Sequence, residues 1–330
     1  MILHPAIIAL LVSSALMSAL VLYSSWYGVL ILRHWDLGSG SGLQLDLERR
    51  TYLISTVLAY VFGFQLISLF LLIYTADNLC SLFTGAMCAA GTFNVNGYGY
   101  PLLLLKILNF ILAGLWLIVN HADNRAYDYP LIRKKYAMLL GLTPLIVLEA
   151  VLQFLYFQGL RPDVITSCCG SLFSVNSPSV AGDLAALPAA PMKAVFAVSM
   201  AATILLGIRV AARGRGGYLF AVAAGLSFLV GIASVLSFLS IAVYELPTHH
   251  CPFCFLQKEY GYIGYLVYIT LLGGAVAGMG EGLLMPFRGI ASLAGIIPPL
   301  QKRLAVLSLV FYSSFTLLSI VILQRSNLVQ

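Results

Sequence analysis

The residues best suited to chemistry in this chain are its six cysteines, which fall into three pairs. Cys80 and Cys88 form the first, the neighbours Cys168 and Cys169 the second. The third stands in the run His249-His250-Cys251-Pro252-Phe253-Cys254. A C-x-x-C spacing can close a small disulfide ring, and thioredoxin-type enzymes use that spacing. A cysteine is reactive when its thiol pKa is low and the sulfur is accessible. A helix beginning near Pro252 would supply the first condition, because Pro is favoured at a first helical position. Its unpaired N–H groups and positive dipole end would then face the sulfurs and favour a thiolate. His249, His250 and Lys258 add positive or proton-donating groups nearby. The same loop suits a soft metal. His249, His250, Cys251 and Cys254 offer thiolate and imidazole ligands for copper or zinc, and Met87 beside Cys88 adds a thioether. No C-x-x-C-H run for a c-type haem occurs.

The elements that must hold these residues follow from composition. The chain has 330 residues, 61% of them hydrophobic and 9% charged, against about 25% charged in soluble domains. Most of it therefore belongs in lipid. A membrane helix needs roughly 20 mostly apolar residues, and eight runs qualify: Pro5–Leu32, Tyr52–Tyr74, Pro101–Val119, Tyr136–Phe157, Met192–Val210, Tyr218–Tyr244, Tyr260–Met279 and Leu304–Leu323. The expected fold is an all-α polytopic bundle, one integral membrane domain over residues 1–330. The first run is far longer than the roughly 7–15 apolar residues of a signal peptide, so it reads as a retained span. The apolar stretch Pro286–Pro299 is expected to lie at the membrane interface or to re-enter.

Basic residues give the orientation. Of 18 Lys and Arg, thirteen flank the odd-numbered connections: Arg33, Arg49, Arg50, Arg125, Arg133, Lys134, Lys135, Arg209, Arg213, Arg215, Arg288, Lys302 and Arg303. The remaining five are Lys106, Arg161, Lys193, Lys258 and Arg325. Positive loops stay in the cytoplasm. Both termini and the cysteine loops 76–100, 158–191 and 245–259 are thus expected on the extracytoplasmic side, in a bacterial cytoplasmic membrane. The net charge of +6 is spread among these flanks, which speaks against a nucleic-acid partner. Hydrated loops are also the wrong place for cysteines serving merely as small core hydrophobes.

A weak repeat links two of the loops. Residues 88–97 and 168–177 align without gaps, matching Cys88 with Cys168, Phe93 with Phe173, Val95 with Val175 and Asn96 with Asn176. The offset equals two spans plus their loops. A helix pair followed by a cysteine loop, used three times and closed by a last pair, is the simplest architecture that accounts for it.

Polar groups inside spans are costly and usually functional. Lys106 and Asn109 fall in the third span, Gln65 in the second, and Glu149 and Gln153 one turn apart in the fourth. Lys106 and Glu149 are expected to pair between neighbouring helices. That pair locks two helices together, or with Gln65 it lines a quinone or proton pocket.

In its cysteine logic, chiefly Cys251 and Cys254, the chain resembles membrane thiol oxidoreductases of the DsbB and vitamin K epoxide reductase type. Those proteins carry a C-x-x-C beside a membrane helix and a second loop pair. The resemblance implies disulfide exchange and a quinone in the helix bundle. It does not extend along the chain, since those families have a four- or five-helix core.

The leading expectation is a thiol–disulfide redox protein. Cys251 and Cys254 are its reactive pair, while Cys80, Cys88, Cys168 and Cys169 relay disulfides to an extracytoplasmic thioredoxin-like protein. A soft-metal (copper or zinc) binding or transport protein is the second expectation. A non-catalytic subunit of a membrane complex, stapled by disulfides, is the third.

Overall fold

The computed structural model describes residues 3–36, 38–166, 173 and 180–327. Cys168 and Cys169 lie outside the described residues, as do Val175 and Asn176 of the repeat. Among the described residues every regular element is helical. Eight helices are long and apolar enough to cross a membrane: α1 (Pro5–His34), α2 (Gly42–Asn78), α3 (Gly99–Asp123), α4 (Ile132–Gln158), α5 (Ala189–Arg213), α6 (Gly217–Tyr244), α7 (Ile263–Leu283) and α8 (Ile297–Arg325). The all-α polytopic bundle is therefore the fold.

Several helices outrun the apolar stretches that revealed them. Helix α2 starts at Gly42 rather than Tyr52, because each added residue of an existing helix gains a backbone hydrogen bond. The Ser41 hydroxyl caps it by accepting the Gln44 N–H at 3.3 Å. The stretch Pro286–Pro299 holds two short 3-10 turns, Met285–Phe287 and Ala291–Leu293, and from Ile297 it is the start of α8.

Contacts divide the chain into two compact units. The first comprises Met1–Thr75, Asn96–Leu160 and Pro286–Leu300, and its core is built from α1 to α4. Trp116 is fully buried, edge-on to Phe62 at 4.8 Å, and its indole N–H donates to the Lys135 carbonyl at 3.0 Å. Lys135 and Asp123 form a fully buried ion pair at 2.7 Å. Asp123 also accepts the Leu131 N–H at 2.8 Å, which fixes the connection between α3 and α4.

The second unit comprises Ala76–Val95, Arg161–Met285 and Gln301–Gln330. Lipid tails are as apolar as leucine, so helices in a membrane associate through close packing of small residues. Helix α7 follows that rule. A Cβ on Gly278 would lie 2.5 Å from the Ala224 methyl, and one on Gly282 would lie 2.3 Å from that of Ala221. Helix α8 is tied in by two hydroxyls, Tyr312 donating to the Ala224 carbonyl at 2.5 Å and Ser308 to the Gly274 carbonyl at 2.8 Å. Near its end α6 widens into a π-turn over Val235–Leu239, fully buried. Such turns put backbone carbonyls out of helical register and recur at functional sites.

Candidate functional site

The C-P-F-C run sits in the loop between α6 and α7 of the second unit, and two tyrosines fix its backbone. The Tyr244 hydroxyl, at the end of α6, donates to the Cys251 carbonyl at 2.6 Å and accepts the Phe255 N–H at 2.9 Å. The Tyr268 hydroxyl, on α7, donates to the Pro252 carbonyl at 2.7 Å. Buried carbonyls need such partners. Here they hold the loop in one shape, with Cys251 and Cys254 on the same side of the turn.

Helix α7 does not begin at Pro252. Cys254 opens a single 3-10 turn, Cys254–Leu256, and the chain then passes through Gly261 and Tyr262, both left-handed at φ +63° and +58°. Two such residues in succession cannot continue a right-handed helix, so α7 starts at Ile263. The expected dipole of a long helix is therefore not applied to the sulfurs. A local donor takes its place, with the Phe253 N–H pointing at Cys251 Sγ at 3.4 Å.

The third sulfur comes from the segment that follows α2. Cys88 Sγ lies 3.6 Å from Cys251 Sγ, 163 residues away in sequence. Cys88, Cys251 and Cys254 have all three sulfurs within 4.8 Å of one another, and all three residues are buried. No disulfide joins any two of the four described cysteines. Cys80, half-buried on the turn Cys80–Leu82, is not part of this group.

The Cys88 segment is held in place from three directions. Asp77, at the end of α2, accepts the Ala89 N–H at 3.1 Å. Gln257 donates to Asp77 at 3.0 Å and to the Met87 carbonyl at 3.0 Å, bridging from the C-P-F-C loop. Thr166, from the loop after α4, donates its N–H to Thr84 at 3.0 Å and its hydroxyl to Gly91 at 2.9 Å. This approach needs glycine at position 85, where φ is +90° and a Cβ would meet the Thr166 carbonyl oxygen at 2.3 Å. The phenylalanines matched in the sequence repeat, Phe93 and Phe173, both pack on Phe253 between the two cysteines, at 5.9 and 6.2 Å.

The histidines part company. His249 Nε2 is 3.4 Å from Cys254 Sγ, and its ring stands edge-on to Tyr244. His250 is buried and donates from Nδ1 to the Leu236 carbonyl at 2.8 Å, in the π-turn. Neither histidine belongs to the group of mutually close ligand atoms. Of the set His249, His250, Cys251 and Cys254 expected from sequence, the structure brings Cys251 and Cys254 together with Cys88, leaves His249 against Cys254, and turns His250 to a carbonyl of the π-turn that the sequence does not reveal. Tyr260, edge-on to Tyr244 at 5.1 Å, has its phenol pKa raised by partial burial first, then by the nearby Cys254 and Glu259 charges.

The intramembrane polar residues singled out from sequence all belong to the first unit. Lys106 Nζ lies 2.6 Å from Glu149 Oε1 and donates to Ser68 at 3.1 Å. The other carboxylate oxygen accepts from Gln65 at 2.5 Å and from Asn109 at 2.7 Å. The expected pair is formed, and Gln65 joins it. Gln153, one turn from Glu149, instead donates to the Leu10 carbonyl on α1 at 2.8 Å.

No known protein family, no curated protein and no solved structure matches this chain. The likeness to membrane thiol oxidoreductases accordingly rests on the cysteine pattern alone, and function has to be argued from the site.

Proposed function

We propose that this protein is a membrane-embedded soft-metal-binding protein whose site is Cys88, Cys251 and Cys254. The observation that carries this reading is three buried sulfurs within 4.8 Å of one another. A zinc–thiolate bond is about 2.3 Å, so two sulfurs on one tetrahedral centre stand about 3.8 Å apart. The Cys88–Cys251 separation is 3.6 Å, whereas a disulfide measures about 2.05 Å. Burial supports the same reading. A cysteine that exchanges disulfides with a partner protein must be reached by it, and Cys88 and Cys251 are both 0% exposed. Three thiolates this close repel one another, and a bound cation removes that repulsion. The distribution of basic residues supports a bacterial cytoplasmic membrane with the site on the extracytoplasmic side.

The contact between Cys88 and Cys251 favours one alternative, the thiol–disulfide relay. A Cys88 thiolate attacking a Cys251–Cys254 disulfide would form a Cys88–Cys251 bond and release the Cys254 thiolate. That step has no net oxidation, so two electrons must leave elsewhere, to the quinone that the resemblance implies or to a thioredoxin-like partner.

The test is to purify the full chain in detergent without oxygen and count copper and zinc. Stoichiometric metal is expected in the wild type and in Cys80→Ser. It should be lost, with affinity down by more than about 100-fold, in Cys88→Ser, Cys251→Ser and Cys254→Ser. A metal-free wild type whose Cys88, Cys251 and Cys254 cycle between thiol and disulfide would replace this reading with the relay.

A further inference from the structure

A buried thiolate site must be loaded, and among the described residues Met87 places an exposed soft donor one residue from it. Met87 is 67% exposed, while its chain neighbour Cys88 is 0% exposed. Among the described residues the other methionines are buried or half-buried: Met17, Met138, Met192, Met200, Met279 and Met285. Burial is the ordinary fate of this side chain. The position is also fixed rather than frayed. Gln257 holds the Met87 carbonyl, and Asp77 holds the N–H of Ala89 just beyond Cys88. The thioether is thus tethered one residue from a site sulfur, with consecutive Cα atoms about 3.8 Å apart.

We propose that Met87 is the receiving ligand through which Cu(I) passes from solvent to the Cys88–Cys251–Cys254 site; this rests on the soft-metal reading above. Zinc in proteins is held by Cys, His, Asp and Glu. Thioethers belong with thiolates among the ligands that select Cu(I). A neutral thioether binds Cu(I) more weakly than a thiolate, so it captures the ion and yields it onward. In the transfer a copper–thioether bond breaks as copper–thiolate bonds form. Copper stays monovalent throughout, and the protons of the three thiols leave to water. No oxidant or reductant takes part.

The experiment uses the full-length reduced protein in detergent, mixed anaerobically with the Cu(I) complex of a coloured bidentate chelator and followed by loss of colour. Met87→Leu keeps volume and apolarity at an exposed position, so folding is spared. The variant should take up copper about tenfold more slowly and reach the same end point as the wild type. Its zinc uptake, followed with a coloured zinc chelator, should be unchanged. Equal copper rates in variant and wild type would overturn the role of Met87. So would slowing of copper and zinc alike. Zinc binding without Cu(I) binding would sink this inference and leave the soft-metal reading standing. Binding of neither metal would sink both.

Discussion

The two units each bury a compact polar cluster, and the clusters are built on opposite principles. In the first, Lys106 and Glu149 neutralise each other, and Gln65, Asn109 and Ser68 satisfy what remains of the pair. Both carboxylate oxygens and the ammonium have short partners inside the protein. In the second, three like groups converge, and ionising any two of the thiols creates repulsion at close range, with the His249 ring 3.4 Å from Cys254. Buried charges are tolerated when paired and hydrogen-bonded. The first cluster meets that condition internally and needs no ligand. The second meets it when a positive ion sits among the sulfurs. On the reading proposed above, the first cluster is structural and the second binds an ion, a division that the amino acids read singly would not make.

The comparison is broken most severely at the ion pair. Removing one partner of a buried pair leaves a bare charge and typically costs about 3–5 kcal/mol. Glu149→Gln should lose stability on that scale in denaturant unfolding in micelles. The double variant Lys106→Met/Glu149→Leu should recover part of it, since no charge is stranded although Gln65 and Asn109 lose an acceptor. Folded protein of either variant should keep its metal content. If Glu149→Gln lost less than about 1 kcal/mol, the network would not be a closed lock. The quinone or proton pocket suggested by its residue types would then be the better account.

A smaller effect is expected at the tyrosine clamp. Tyr244→Phe removes one donor and one acceptor from the C-P-F-C backbone and leaves the Cys251 carbonyl and the Phe255 N–H buried without that partner. Each unsatisfied group costs about 1–3 kcal/mol. Loss of a group that orients a ligand lowers metal affinity about 10–100-fold. The measurement is Cu(I) affinity by chelator competition. Unchanged affinity would mean that the loop reaches its shape without Tyr244, and that the thiols alone define the site.

How far the site was legible in sequence depends on the range of the interactions. The eight spans follow from local composition, and their ends differ because a helix runs on into polar flanks such as Gln44 to Arg50. The Lys106–Glu149 pair was foreseeable because an isolated charge in a span must find its opposite. Cys88 is legible as a loop cysteine, but its place beside Cys251 depends on a contact spanning 163 residues. The nearest sequence signal was the repeat, whose phenylalanines meet on Phe253. The span Tyr260–Met279 is legible and α7 starts close to it at Ile263, but the helix that Pro252 could have opened does not form, because the left-handed residues Gly261 and Tyr262 interrupt the chain before α7. The fate of His250 was illegible, because the carbonyl it binds is offered by a π-turn.

The histidines give the mildest and most discriminating variants. In the metal reading of the sequence, His249 and His250 are two of four ligands, and replacing both would remove the metal. Read from the geometry, His250 anchors the loop to the Leu236 carbonyl, and His249 lies 3.4 Å from the Cys254 sulfur. A glutamine amide can donate to Leu236 much as the imidazole does, so His250→Gln should lower Cu(I) affinity by less than about tenfold. His249→Gln removes a ring packed edge-on to Tyr244 at 4.6 Å and a contact with one sulfur. It should act as the loss of an orienting neighbour, toward the lower end of about 10–100-fold, with stoichiometry kept. The two readings separate in the X-ray absorption spectrum of the copper-loaded protein. Three sulfur neighbours and no imidazole scattering, unchanged in the double His→Gln variant, are expected if the thiols hold the ion. Imidazole scattering in the wild type that vanishes in the variant would return His249 and His250 to the ligand set.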